Sequence, residues 1–311
     1  MPKGISLHIG LNHVDATAYG GWDGALAGSI HDAHDMAMLA TAEGYRTQLL
    51  TDRQATASAV LTAIRTAGGK LRPGDVFLLS YAGHGGQLTE ANSDEDEPDG
   101  FDETWVCWDR QLLDDEVYAA LASFARDVRV IVVADTSHSG TNARSPLAPS
   151  PPVRTPEGAR RARIIPAAVG NADQFRRRGL YQRLRRSSRA EIRRAMARQR
   201  ALTRRQAGLR KPTGCLSARA VLLTACQDNE VAYDGPGNGA FTHALLTVWA
   251  SGHFDGTYRD FVSAIRARLS AQTPTYLSIG RGASGWEASR PFTIDIRHDL
   301  ELIDDPGLPV G

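Results

Sequence analysis

Cysteine is scarce in this chain: Cys107, Cys215 and Cys226 are the only three in 311 residues. So sparse a set excludes a disulfide framework and fits a reducing compartment, so a cytoplasmic protein is expected. No apolar run approaches the roughly 18 residues of a membrane span, and residues 1–11 have no signal-peptide core. Net charge is nearly absent as well, since 36 Lys and Arg face 35 Asp and Glu and leave +1. Spread evenly, that balance would exclude a nucleic-acid binder. What is present, 42% hydrophobic and 23% charged residues, describes a globular chain able to build one large α/β domain or two small ones.

The charge is not spread evenly. Residues 144–214 hold 19 Arg and one Lys against Glu157, Asp173 and Glu191, about +17, and the rest of the chain carries about −16. An acidic body therefore carries a basic insert, which divides the chain into residues 1–143, 144–214 and 215–311. The insert opens on a proline-rich stretch, 145–156, that cannot continue a helix or enter a sheet centre. Further on, Ser188-Arg-Ala-Glu191 reads as a capping box, with Ile192, Ala195, Met196 and Leu202 following at near-helical spacing. Three readings of the insert stay open: a solvated loop, a nucleic-acid or acidic-surface contact through residues 176–205, and a protease-sensitive regulatory segment.

In the body, residues 4–14 and 45–51 read as strands, and 28–43 and 55–67 as helices, the latter ending at Gly68-Gly69. Residues 75–81, 129–134 and 218–225 are short continuous apolar runs, as expected of strands buried on both faces. Residues 115–126, 240–251 and 258–270 read as helices, and 275–279 as a last strand. Strands alternating with helices predict an α/β protein with a mostly parallel central sheet flanked by helices on both faces. Active sites of such sheets lie beyond the carboxyl ends of the strands, here at 82–86, 135–140 and 226–230.

The first of these ends reads Tyr81-Ala-Gly-His84-Gly-Gly86, a histidine with an exposed ring and close backbone access. The second reads Asp135-Thr-Ser137-His-Ser-Gly140, a short nucleophile at a strand–turn junction. Together, HG…D-x-C-H-S-G with Ser137 at the cysteine position resembles the caspase-like cysteine peptidases, and among them the metacaspases and related bacterial peptidases. The resemblance covers residues 3–141 as the large-subunit segment and 217–296, with Leu223-Thr-Ala-Cys226-Gln-Asp-Asn-Glu, as the small-subunit segment. It implies a caspase-like fold, His84 as the catalytic histidine and the Gly85 amide as an oxyanion donor.

Ser137 stands where the family has its nucleophilic cysteine. A thiol ionises near pH 8.5, whereas a serine hydroxyl is far harder to deprotonate and its oxygen reaches less far, so the chain as written is expected to be nearly inert. An engineered Cys-to-Ser change would explain this, and so would a natural pseudoprotease or scaffold. The survival of every other motif position favours the first.

The resemblance also implies a pocket for the residue before the cut, lined by Asp32 in Ser29-Ile-His-Asp32 and by Asp135, with Asp228 adding to it. Two carboxylates on one slot repel each other until a cation enters, so cleavage after Arg or Lys is expected. The acid-dense stretch 92–102, with Asp114 and Asp115, offers hard oxygen ligands without the spacing of an EF-hand. Similarity to calcium-activated metacaspases places Ca²⁺ ligands at Asp102, Asp114 and Asp115, while a fourth acid expected there falls near Arg144. Plain solvated acids with a helix cap at Asp114 are the alternative. The segment between the two subunits is where maturation cuts fall in this family. An Arg-rich insert joined to an Arg-selective pocket is thus expected to make a zymogen, cut by itself or by an upstream protease.

Overall fold

The structure is a computed structural model, and residues 1–89, 101–137, 153–155, 158–206, 218–227, 230–279 and 286–296 are described. Six strands form the central sheet: β1 (Gly4–Gly10), β2 (Arg46–Thr51), β3 (Val76–Ala82), β7 (Arg129–Asp135), β10 (Arg219–Thr224) and β11 (Thr275–Ile279). Their order is β11-β10-β7-β3-β1-β2, with all neighbours parallel except β10 and β11. The apolar runs become β3 and β7, both buried along their whole length. Phe77, Leu79 and Tyr81 face one core with Val60 and Ile64 of α2 (Ala57–Lys70), while Val76 and Leu78 face a second with Phe241 and Leu245 of α6 (Ala240–Trp249). The second core also takes in α1 (Ser29–Ala42) and α7 (Tyr258–Arg266).

Helix α2 does not stop at Gly68-Gly69 but runs on to Lys70. The glycine serves packing here: a Cβ at Gly68 would lie 2.6 Å from the Phe124 ring, so its absence lets that ring seat against the helix.

A smaller antiparallel sheet, β4 (Gly85–Thr89), β5 (Phe101–Val106) and β6 (Gln111–Leu113), follows β3 and leads into α3 (Asp114–Leu121). The described part of the insert is not a solvated loop. After the hairpin β8 (Val153–Thr155) and β9 (Gly158–Arg160) come α4 (Ala167–Arg176) and α5 (Arg178–Gln206). The predicted capping box at Ser188 lies inside α5, because the helix already starts ten residues earlier and Ser188 is buried. Tyr181 of α5 donates to Asp173 of α4, and the Gln111 amide of β6 donates to the Tyr181 hydroxyl, tying insert to body through buried polar groups. Among the described residues no helix is long and apolar enough to cross a membrane.

The central sheet also contains a pH-sensitive pair. His8 of β1 is fully buried, with Nδ1 2.7 Å from Ser80 Oγ on β3 and Nε2 unpartnered. Burial pulls its pKa down to about 3. The folded state keeps the ring neutral while the unfolded state protonates near 6.5, so this stability is present above 6.5 and is lost as pH falls toward 3. Urea titrations between pH 6 and 4 should show a His8→Gln slope shallower than the parent's by about 1.4 kcal/mol per pH unit. Equal slopes would refute the assignment.

Candidate active site

The parallel register places the carboxyl ends of β3 and β7 side by side, with Ala82 opposite Asp135. His84 and Ser137 each lie two residues beyond, on neighbouring strand ends. His84 is buried against Trp22, ring centroids 4.9 Å apart, and its Nε2 lies 3.0 Å from the Gly24 carbonyl oxygen. A carbonyl can only accept, so Nε2 carries the proton and Nδ1, which has no partner, keeps its lone pair. Burial lowers the His84 pKa to about 4, outweighing the opposing pull of the Gly24 carbonyl, so the ring is a neutral base at ordinary pH. Ser137 is also fully buried, and its Oγ accepts a 2.7 Å hydrogen bond from the Ala232 amide.

The structure seats Arg163, from the insert, in the space between these groups. Its guanidinium is wholly buried and meets three carboxylates: Asp32 Oδ2 at 2.5 Å, Asp135 Oδ2 at 3.0 Å and Asp234 Oδ1 at 3.0 Å. Asp32 and Asp135 thus both reach the one guanidinium. Asp228 lies outside the described residues. Burial pushes the Asp32 pKa up to about 7, more than the Arg163 charge lowers it, and the neighbouring Asp135 adds to the rise. Arg163 itself is held charged, the three carboxylates overriding the penalty of its burial.

Backbone contacts continue the grip. The Arg163 carbonyl accepts from the Gly85 amide at 3.1 Å and the Ser137 amide at 3.2 Å. Its own amide donates to the Ala232 carbonyl at 2.9 Å, Ala162 bridges Tyr233 in antiparallel register, and the Asp234 amide donates to the Arg161 carbonyl. Residues 161–163 therefore run antiparallel to 232–234 through one isolated β-bridge.

Sequence reasoning missed Arg163, Asp234 and Gly239. Arg163 is one of 19 insert arginines, distinguished only by the apolar Ile164-Ile165 after it. Asp234 stands in Tyr233-Asp-Gly-Pro, which reads as a turn; its carboxylate also holds the Ala27 and Gly28 amides at 2.7 and 3.0 Å. Gly239 donates to Asp32 Oδ1, and a Cβ there would lie 2.6 Å from the Arg163 guanidinium carbon, so only glycine leaves the slot open.

The acids considered as calcium ligands sit elsewhere, under α5. Asp102 pairs with Arg185 Nε, and Asp115 Oδ2 lies 3.2 Å from Arg189 Nε. Arginines of the insert already supply the positive charge, and no group of three or more His, Cys, Asp or Glu among the described residues is placed to hold a metal. Asp114 is the first residue of α3 rather than its cap, and burial, then the charges of Asp115 and Asp102, raise its pKa. With Arg185 and Arg189 on its two neighbours, the three acids as folded do not fit a bound cation.

The six-stranded sheet with helices on both faces has the caspase-like architecture. Residues 3–284 match the Caspase domain family (Peptidase_C14), and the chain belongs to that protease family. It is 26% identical to Metacaspase-1 of Mycosarcoma maydis, over 87% of this chain and 68% of that protein. Metacaspase-1 of Candida albicans is also 26% identical, over 86% of this chain and 62% of its own length. The match to Metacaspase-1 of Cryptococcus neoformans, 32% identical, spans only about a third of that relative, 32%. A crystal structure of a protein from Geobacter sulfurreducens superposes with a TM-score of 0.76 at 38% identity, covering 94% of this chain and all of that one.

Proposed function

We propose that the chain is a caspase-type endopeptidase that cuts after Arg or Lys and is held uncut with its own Arg163–Ile164 bond in the active site. One observation carries this reading: the Arg163 guanidinium fills a three-carboxylate slot while its carbonyl rests on two converging amides. A peptide carbonyl held by two N–H donors beside a nucleophile has the arrangement that acyl transfer needs.

The roles follow from the atoms. With a cysteine at 137, its thiolate adds to the Arg163 carbonyl carbon, and the Gly85 and residue-137 amides hold the oxyanion formed. Nδ1 of His84 takes the thiol proton and returns it to the Ile164 nitrogen as the C–N bond breaks, leaving an acyl-enzyme that water hydrolyses. With serine at 137, the hydroxyl is too weakly acidic for this exchange, so the chain stays whole.

The reading is tested with the Ser137→Cys protein, after self-cutting, on otherwise identical fluorogenic peptides ending in Arg, Lys, Gln or Asp. Cleavage after Arg and Lys, at least about 10²-fold above Gln, is expected from loss of a buried charge partner. Rapid cleavage after Asp, or no cleavage of any peptide, counts against it.

A further inference from the structure

We propose that the same site also reads the chain beyond the cut, requiring a branched apolar residue at the second position after the arginine. This rests on the reading of Arg163 as the residue before the cut. The natural ligands would then be extended protein segments of the pattern small–Arg–apolar–Ile/Val, and residues 162–165, Ala-Arg-Ile-Ile, are the chain's own copy.

Gly85 grips both sides of the bond. Its amide holds the Arg163 carbonyl, and its carbonyl accepts from the Ile165 amide at 2.8 Å, a parallel bridge centred on Ile164. Two backbone bonds from one residue fix the direction of the chain after the arginine, and strand alternation then sends Ile164 and Ile165 to opposite sides. Ile164 is half-buried, whereas Ile165 is 4% exposed and joins the core cluster on the α2 side of the sheet. Its Cγ2 would lie 2.6 Å from a Cβ at Gly86, and Gln111 Oε1 would lie 2.8 Å from the same Cβ. The missing side chain at Gly86 therefore makes the recess that Ile165 fills, with Gln111 turned toward Thr104 on its far side at 2.8 Å. A charged residue sent into that recess would lose its water without gaining a partner. On the other side of the cut the reading is looser: Ala162 is half-buried, and Arg161 is exposed with Nη1 on the Ala25 carbonyl at 2.8 Å.

Two measurements test this. The self-cut Ser137→Cys protein is given the peptides Arg-Ala-Arg-Ile-Ile, Arg-Ala-Arg-Ile-Asp and Arg-Ala-Gln-Ile-Ile, extended equally at both ends. Asp at the last position should lower kcat/KM by about 10²-fold or more, as expected for a charge in an apolar recess. Equal cutting of the first two with no cutting of the third overturns the proposal and leaves the arginine reading standing. The second measurement needs no activity: trypsin is applied to the Ser137 chain, and cleavage at Arg163–Ile164 is followed by mass. The bond should be protected in the parent and in Ile165→Val, and opened at least about 10-fold faster in Ile165→Ala and Ile165→Asp. Protection unchanged in both of the last two overturns the proposal whatever the peptides do. Trypsin cutting the parent there as fast as at exposed arginines overturns both this proposal and the reading it rests on.

Discussion

Replacing Arg163 with alanine should turn the chain from a protein indifferent to free guanidinium compounds into one that binds them. The substitution leaves Asp32, Asp135 and Asp234 converging on a space with no cation, and removing one partner of a buried ion pair costs about 3–5 kcal/mol. Thermal unfolding of Arg163→Ala should therefore begin well below the parent's. Agmatine or N-acetyl-argininamide should restore part of the loss, about 2.7 kcal/mol at a hundred times its dissociation constant. The parent, its slot filled, should not respond, and an uncharged glutamine analogue should not stabilise either protein. The rescue should be weaker at pH 6 than at pH 8. Asp32 already holds its proton to about pH 7 with Arg163 in place, because burial and Asp135 outweigh the arginine. A guanidinium must expel that proton to pair fully. If agmatine raises both melting temperatures equally, or neither, the slot does not recognise arginine.

Placing cysteine at position 137 should convert an intact chain into one that cuts itself. On the proposed reading only the nucleophile is missing: the Gly85 and Ser137 amides already hold the Arg163 carbonyl, and His84 Nδ1 has no hydrogen-bond partner. Removing a nucleophile from an assembled site costs on the order of 10⁶ in rate, so restoring one should speed cleavage by several powers of ten over the Ser137 chain. A His84→Ala change in the Ser137→Cys background should return the rate toward the starting level, because no other described group is placed to carry the proton. A natural scaffold with no peptidase chemistry would stay whole in every combination.

The sheet was legible because β3 and β7 are buried throughout and β10 in part, leaving continuous apolar runs, and because helices with a single apolar face alternate with them. Element ends were less so. Gly68 looked like a stop and is a packing device for Phe124, a fact that depends on a residue 56 positions away. The start of α5 was hidden for a similar reason, since Ser188 has cap chemistry but is buried on a helix already under way. At the strand ends, His84, Ser137, Asp32 and Asp135 stood out because each sits in a short motif. Arg163 and Asp234 carry no local mark. An arginine among 19 becomes distinct only when the fold brings it to three carboxylates from three other segments, and a turn aspartate only when that arginine arrives. Asp102 and Asp115 show the converse: their acidity suggested a metal, but the charge that meets them comes from Arg185 and Arg189, 83 and 74 residues later in the chain. The near-zero net charge summarises these contacts, with a basic insert lying on an acidic body.

The most direct test of this account is the sequence of the ends that the Ser137→Cys protein makes. Fragments taken early in the reaction should share one new N-terminus, Ile164-Ile165-Pro166, and the Ser137→Cys, Arg163→Gln double variant should lack it. An early cut at a different arginine with the Arg163–Ile164 bond still whole, or a Ser137→Cys chain that never cuts, would contradict the claim that Arg163 occupies the site as a substrate does.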